Sequence, residues 1–159
     1  MNRAAVITIS DSAHQGLRED RSGPAVADRL KQAGFEVTVQ RVVPDERAEI
    51  AAALREIAQG DERLAIFTTG GTGVTPRDIT PEATRDVIER EITGFGELMR
   101  AKGRESTPYA ALSRAIAGTL GGVLIINLPG SPRGAVESLG VILELVPHVL
   151  DRVNGRTTH

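Results

Sequence analysis

Cysteine is absent from this chain. Disulfides, zinc–thiolate sites and a cysteine nucleophile are therefore excluded. Tryptophan is absent too, and the aromatics are only Phe35, Phe67, Phe95 and Tyr109. That is too little ring surface for a platform that stacks single-stranded nucleic acid. Neither charge sign dominates: 19 Lys and Arg stand against 21 Asp and Glu, for a net charge of −2. Without a basic face, any phosphate recognition has to be local and made by loops. No stretch approaches the roughly 20 apolar residues that span a bilayer. The apolar run at residues 4–9 is too short for a secretory segment, and no cleavage-like pattern follows it. The expectation is a cytoplasmic protein with neither a membrane nor a nucleic acid as partner.

What the chain does have is an ordinary core. Its 159 residues, 40% of them hydrophobic, suit one domain spanning 1–159. Short apolar runs alternate with helical patterns. Residues 4–9 predict a buried strand, and a polar loop follows to about Gly23. A helix is predicted from about Pro24, with Val26, Leu30 and Ala33 on one face and Gly34 as its cap. Phe35, Val37 and Val39 alternate with polar residues as a second strand, broken by Pro44 and Asp45. A helix carrying Ile50, Leu54 and Ile57 follows. Residues 64–67 predict a third strand.

Further on, Thr80 and Pro81 open a helix as N-cap and first helical residue, with Val87 and Ile88 on its inner face. Gly94 and Gly96 interrupt the pattern. Helices are predicted over 97–102 and 109–117, a turn at Gly121 and Gly122, and a fourth strand over 123–126. A last helix over 135–152 should bend at Pro147. The fold class is α/β, a single-domain three-layer sandwich with a mostly parallel sheet covered on both faces. Ligands in such folds bind beyond the carboxyl ends of the strands. Three polar loops, at 10–12, 69–73 and 128–132, should gather there.

The densest chemical signal is Thr68-Thr69-Gly70-Gly71-Thr72-Gly73. Glycines let backbone N–H groups approach an anion, and threonine hydroxyls add donors. No lysine follows in the Walker pattern, and dinucleotide-fingerprint spacing is missing. The run is either a phosphate cradle or a tight turn. Asp78 lies close by; a carboxylate beside phosphates calls for a cation such as Mg²⁺ between them, unless it is solvated or paired with Arg77 or Arg85. Asp45, between a strand and a helix, reads first as an N-cap. Asp11, with Ser12 beside it, reads first as a turn. Ser131, in Pro129-Gly130-Ser131-Pro132, could donate to a phosphate, but no Gly-x-Ser-x-Gly elbow surrounds it. His14, His148 and His159 share no metal-ligand spacing. Arg21 and Arg114 are candidate anion partners, Arg114 on a predicted helix beside Ser113; each alone also reads as an ordinary surface arginine.

Taken in order, these segments resemble one family. They are Ser10-Asp11-Ser12, Glu19-Asp20-Arg21-Ser22-Gly23-Pro24, Pro44-Asp45, the Gly-Gly-Thr-Gly run with Pro76-Arg77-Asp78 and Thr80-Pro81-Glu82-Ala83, Gly94-Phe95-Gly96-Glu97, Leu112-Ser113-Arg114-Ala115, and Leu128-Pro129-Gly130-Ser131-Pro132. The family is the small molybdopterin-binding proteins, among them bacterial molybdopterin adenylyltransferase and the equivalent domain of gephyrin. The resemblance covers nearly the whole chain. It implies a molybdopterin-binding fold that assembles as a homotrimer and joins molybdopterin to AMP from ATP, with Mg²⁺, releasing pyrophosphate. It implies Asp45 and Asp78 as the acidic positions that hold the metal. Gly70, Gly71, Thr72 and Gly73 would cradle phosphate, with Pro129, Gly130 and Ser131 as the opposing rim. Asp11 and Ser12 would line the pterin or nucleotide end, and Ser113 and Arg114 would join the binding set. Contact with other proteins of molybdenum cofactor biosynthesis is an expectation of the same kind. A non-catalytic molybdopterin carrier or scaffold is the alternative. Relatives that work on nicotinamide nucleotides or insert molybdenum usually carry this domain in a longer chain.

Overall fold

The computed structural model describes residues 1–60 and 63–156; His159 lies outside them. Its six-stranded sheet has the order β2-β1-β3-β6-β5-β4. The strands are β1 (Arg3–Ile9), β2 (Glu36–Val43), β3 (Leu64–Thr69), β4 (Arg90–Glu91), β5 (Ala117–Leu120) and β6 (Val123–Leu128). The β2-β1-β3-β6 block is parallel throughout, and β5 runs antiparallel to both its neighbours. In β1 every residue after Arg3 is buried, as are all of β3 and β6. This is the continuous apolar pattern of parallel strands covered on both faces.

The helices are α1 (Asp11–His14), α2 (Ser22–Gln32), α3 (Arg47–Ala58), α4 (Thr80–Arg85), α5 (Thr93–Ser106), α6 (Pro132–Ile142) and α7 (Leu145–Val153), with a 3₁₀ turn at Pro108–Leu112. Alternate strand residues feed two separate cores. Val6, Phe67 and Ile126 pack with Leu30 of α2 and Leu139 of α6. Ile7, Ile66 and Ile125 pack with Ile50 and Leu54 of α3. Period-two alternation across the sheet thus makes the three layers.

Several expectations give way to tertiary packing. The loop after β1 contains the single turn α1, capped by the Ser10 hydroxyl, which accepts from the Ala13 N–H. α2 begins at Ser22, two residues before Pro24. Thr80 is not an N-cap: it lies inside α4, and its hydroxyl donates to the Gly70 carbonyl instead. Gly94 and Gly96 do not break α5, because Phe95 and Met99 on either side of Gly96 are buried in the core. A side chain at Gly96 would meet the Ala115 carbonyl at 2.9 Å, so the glycine admits neighbouring backbone. The helix expected over 109–117 is only the 3₁₀ turn, and Ala117 opens β5. The last helix is two helices. Pro147 has no N–H, and its ring opposes the carbonyl four residues back, at Leu143, where α7 separates from α6. Among the described residues no helix is long and apolar enough to cross a membrane.

Candidate functional site

β1, β3 and β6 are adjacent and parallel, so their carboxyl ends deliver three loops to one place. The loops touch. The Gly70 N–H donates to the Leu128 carbonyl at 3.2 Å, and the Thr69 hydroxyl to the Pro129 carbonyl at 2.6 Å. Gly70 and Gly71 have φ of 103° and 70°, where side chains are strained. Space forbids a side chain as well. A Cβ on Gly70 would strike the Ile9 carbonyl, and one on Gly71 the Thr80 hydroxyl.

A cavity of about 640 Å³ opens beside this junction, within the ordinary size range of a small-molecule site. Gly71, Thr72, Gly73 and Asp78 line one wall, and Pro129, Gly130 and Ser131 face them. Ser113 borders the same space. Gly70 lies beneath it, buried. The Asp78 carboxylate is fixed by its own loop. Its Oδ2 accepts from the Thr75 N–H at 2.9 Å and the Thr75 hydroxyl at 2.8 Å. A Cβ on Gly73 would lie 2.7 Å from that oxygen. Ser131 caps α6, its hydroxyl accepting from the Gly134 N–H at 3.0 Å.

Asp11 and Asp45 are joined in a way that their turn and cap readings did not anticipate. The Asp11 N–H donates to Asp45 Oδ2 at 2.8 Å, and the Asp45 N–H donates to Asp11 Oδ1 at 2.9 Å. Glu46, not Asp45, is the N-cap residue of α3. Arg77 bridges the pair to the glycine loop, donating to both Asp11 oxygens and to Glu46 Oε1. Burial raises the Asp45 pKa, and the charges of Asp11 and Asp78 add to the rise. Asp11 is lowered, chiefly by the Asp45 N–H. Asp45 Oδ1 also sits 3.2 Å from where a Gly71 side chain would begin, so its carboxylate borders the glycine loop. Ser12 lies further out, its hydroxyl 3.2 Å from that of Ser10.

Arg114 is not on a helix. It follows the 3₁₀ turn, and its guanidinium is occupied by the loop it faces. Nε donates to the Gly73 carbonyl at 2.7 Å and Nη2 to the Asp78 carbonyl at 2.7 Å. Nη1 donates to Glu82 Oε1 at 2.9 Å and Oε2 at 2.7 Å. The backbone N–H of Arg114 reaches the Thr72 carbonyl at 2.8 Å. Three carbonyls of the loop, those of Thr72, Gly73 and Asp78, are thus tied to one residue, which also pairs with Glu82 of α4. Arg114 therefore positions the loop. Arg21 stands clear of the cavity, 77% exposed and 3.5 Å from Glu19. His14 and His148 are exposed and apart from it.

Beneath the loop runs a buried polar chain that sequence reasoning missed. Asn127 Nδ2 donates to the hydroxyls of Thr68 and Thr84, each at 3.0 Å. Thr84 donates to the Thr80 carbonyl at 2.8 Å, and Thr80 to the Gly70 carbonyl at 2.9 Å. All four side chains are fully buried. Only the Thr-Pro-Glu-Ala motif hinted at it. Arg133 and Glu137 also line the cavity and went unmarked; Glu137 lies in the stretch that reads as plain amphipathic helix, and Arg133 falls between that stretch and the 128–132 loop.

Such a fold, with a glycine–threonine loop and a carboxylate facing a serine rim at the strand ends, is an α/β domain whose cavity lies where such folds bind ligands, beyond the carboxyl ends of the strands. Residues 5–148 match the family described as "Probable molybdopterin binding domain". The chain belongs to that family.

Its relatives include a molybdopterin adenylyltransferase of Pyrococcus furiosus, 40% identical over 150 residues that make up 91% of this chain and 87% of that protein. Gephyrin of Dictyostelium discoideum is 40% identical over 161 residues, 95% of this chain. The chain spans only 22% of the length of that gephyrin and 24% of the Drosophila molybdenum cofactor synthesis protein cinnamon. Among solved structures, the molybdopterin biosynthesis enzyme MoaB of Thermus thermophilus superposes with a TM-score of 0.89 at 46% identity, covering 98% of each chain. The mostly parallel three-layer sandwich expected from the sequence agrees with that neighbour.

Proposed function

We propose that this chain is a molybdopterin adenylyltransferase. The terminal phosphate of molybdopterin attacks the α-phosphorus of ATP, a new P–O bond forms, the α–β bridging P–O bond breaks, and pyrophosphate leaves. The observation that carries the reading is the cavity in which the glycine–threonine loop and Asp78 face the Gly130–Ser131 rim. The names of relatives matched over most of their length support it.

Little covalent work falls to the protein; positioning and charge neutralisation dominate such transfers. The Gly71 and Gly73 amides and the Thr72 hydroxyl hold phosphate from one side, and Ser131 with the Gly130 backbone from the other. Arg133, exposed on the cavity wall, adds positive charge on the rim side. Arg114 holds the loop by its carbonyls. Asp11 orients Asp45, and Ser113 borders the substrate. Asp45 and Asp78 are the residues that would hold Mg²⁺. Asp78 lines the cavity and the Asp45 carboxylate borders the glycine loop; two carboxylates so placed suit an ion shared with substrate phosphates better than an all-protein cage. The ion would neutralise charge on the ATP phosphates. The homotrimer, the cytoplasmic setting and contacts with other cofactor-synthesis proteins belong to the same proposal and rest on family resemblance.

The test is a turnover assay with molybdopterin, ATP and Mg²⁺, following pyrophosphate and adenylylated product. Product that is lost in Asp78→Ala, while molybdopterin binding persists, is the expected result. Tight molybdopterin binding without product, under conditions where a known adenylyltransferase works, would replace the enzyme with a carrier.

A further inference from the structure

The cavity extends past the phosphate end, and its far part has a different character. Met99 and Gly103 of α5 form an apolar wall there, with Ala110 and Tyr109 of the 3₁₀ turn beside them. Into this part projects one half-buried carboxylate, Glu137 of α6. The Ser106 hydroxyl meets both its oxygens, at 2.9 and 3.0 Å. One hydroxyl has one proton to give, whereas an ionised carboxylate offers about four lone-pair directions. Glu137 therefore keeps acceptor capacity for a ligand in the cavity.

A carboxylate only accepts, and its two oxygens match two parallel N–H donors, as in its pairing with arginine. A pterin carries such an edge: the 2-amino group and the neighbouring ring N3–H lie side by side. Adenine's pairing edge sets a donor beside an acceptor, so one of its positions would repel the carboxylate. Reach agrees as well. Glu137 is six residues along α6 from the Ser131 rim, about 9 Å at 1.5 Å per residue. That is the scale of a fused pterin–pyran ring with a phosphate arm.

Tyr109 supplies a face for that ring. It is 76% exposed, yet its backbone is held by Pro108 at the start of the turn and by the Thr107 hydroxyl, which accepts from the Tyr109 N–H at 3.3 Å. A large ring held in water on a fixed support gains by covering a planar ligand.

We infer that Glu137 reads the amino–amide edge of the pterin substrate, with Tyr109 covering the ring, so that this part of the cavity selects pterin over adenine. This deepens the adenylyltransferase reading and rests on it. The variant Glu137→Gln keeps an acceptor for Ser106 but presents a donor where the pterin also has one. It should raise KM for molybdopterin on the order of tenfold or more, the worth of a charged hydrogen bond, and leave KM for ATP at the wild-type value. Tyr109→Ala should raise the same KM roughly 5- to 100-fold, as lost ring stacking does, and Tyr109→Phe should restore it.

The decisive measurement is made without ATP. 6-Hydroxymethylpterin, which lacks phosphate and dithiolene, is titrated into wild-type, Glu137→Gln and Tyr109→Ala protein by its own fluorescence. Weaker binding in both variants supports the inference. Equal binding in all three, or a rise in KM for ATP rather than for molybdopterin, overturns it and in the second case assigns the wall to adenine. A wild-type protein that binds the pterin but makes no product would sink the adenylyltransferase reading alone.

Discussion

Removing Arg114 should unfasten the glycine loop. Its guanidinium makes four hydrogen bonds to three groups: the Gly73 and Asp78 carbonyls and the Glu82 carboxylate. Charged hydrogen bonds are each worth about 1.5–3 kcal/mol when desolvated. The side chains of Arg114 and Glu82 are 38% and 26% exposed, so water replaces part of what is lost and solvent screens the ion pair. Roughly 2–4 kcal/mol is the expected cost of Arg114→Ala, or a fall in Tm on the order of 5–15 °C for a chain of this size. Arg114→Lys keeps a charge for Glu82 but cannot reach both carbonyls, and should lie between. Thermal unfolding of the three proteins gives the stability, and KM for ATP in the turnover assay reports the loop. Folded Arg114→Lys protein should show the KM effect without the full loss of Tm. An Arg114→Ala protein that melts within about 2 °C of wild type, with an unchanged KM, would refute the clamp.

Thr80→Val leaves the buried Gly70 carbonyl without its donor and should cost about 1–3 kcal/mol, which Thr80→Ser should largely recover in denaturant titrations. Gly71→Ala combines a positive φ with a clash against Thr80; loss of both stability and turnover is expected, and a fully active variant would contradict the geometry. Burial raises the Asp45 pKa above its ordinary value of 3.8, so near that pH the folded chain holds a proton that the unfolded chain releases. Its contribution to stability is therefore highest below that value and falls as pH rises through the folded pKa. Asp45→Asn, which keeps an oxygen for the Asp11 N–H, should melt higher than wild type at neutral pH, lose that advantage in acid, and lose turnover. A Tm difference independent of pH would show that the Asp45 charge costs the fold nothing.

The sheet was legible where strands are long and buried. The apolar runs in β1, β3 and β6 leave no competing reading, and the loops that follow them had to converge once those strands were parallel. β4 has two residues and β5 four, too few for a period to register. The first turn of α5 hid behind Gly94 and Gly96, ahead of the helix expected over 97–102, because helix propensity counts a glycine's entropy and not the backbone it admits. Asp78 could be picked out from its place beside the glycines. The exchange between Asp11 and Asp45 joins residues 34 apart, and no local pattern announces such a pairing. Arg114 illustrates the same gap: its residue type suggested an anion, and only its surroundings reveal that carbonyls and Glu82 already occupy it. Glu137 was missed because a helical wheel reads it as part of an ordinary polar face, and Arg133 because the helix was expected to begin only at Ala135, whereas α6 begins at Pro132.

The buried chain from Asn127 through Thr84 and Thr80 to the Gly70 carbonyl also bears on how binding should register in a calorimeter. A loop already bonded to the sheet's interior has little freedom left to surrender. Ligand association should therefore carry a small conformational-entropy penalty, and its heat-capacity change should reflect the surface covered rather than any folding of the loop. The Gly70 amide, which donates to the Leu128 carbonyl at the end of β6, should resist hydrogen exchange nearly as well in the free protein as in the bound one, because opening it requires separating the ends of β3 and β6.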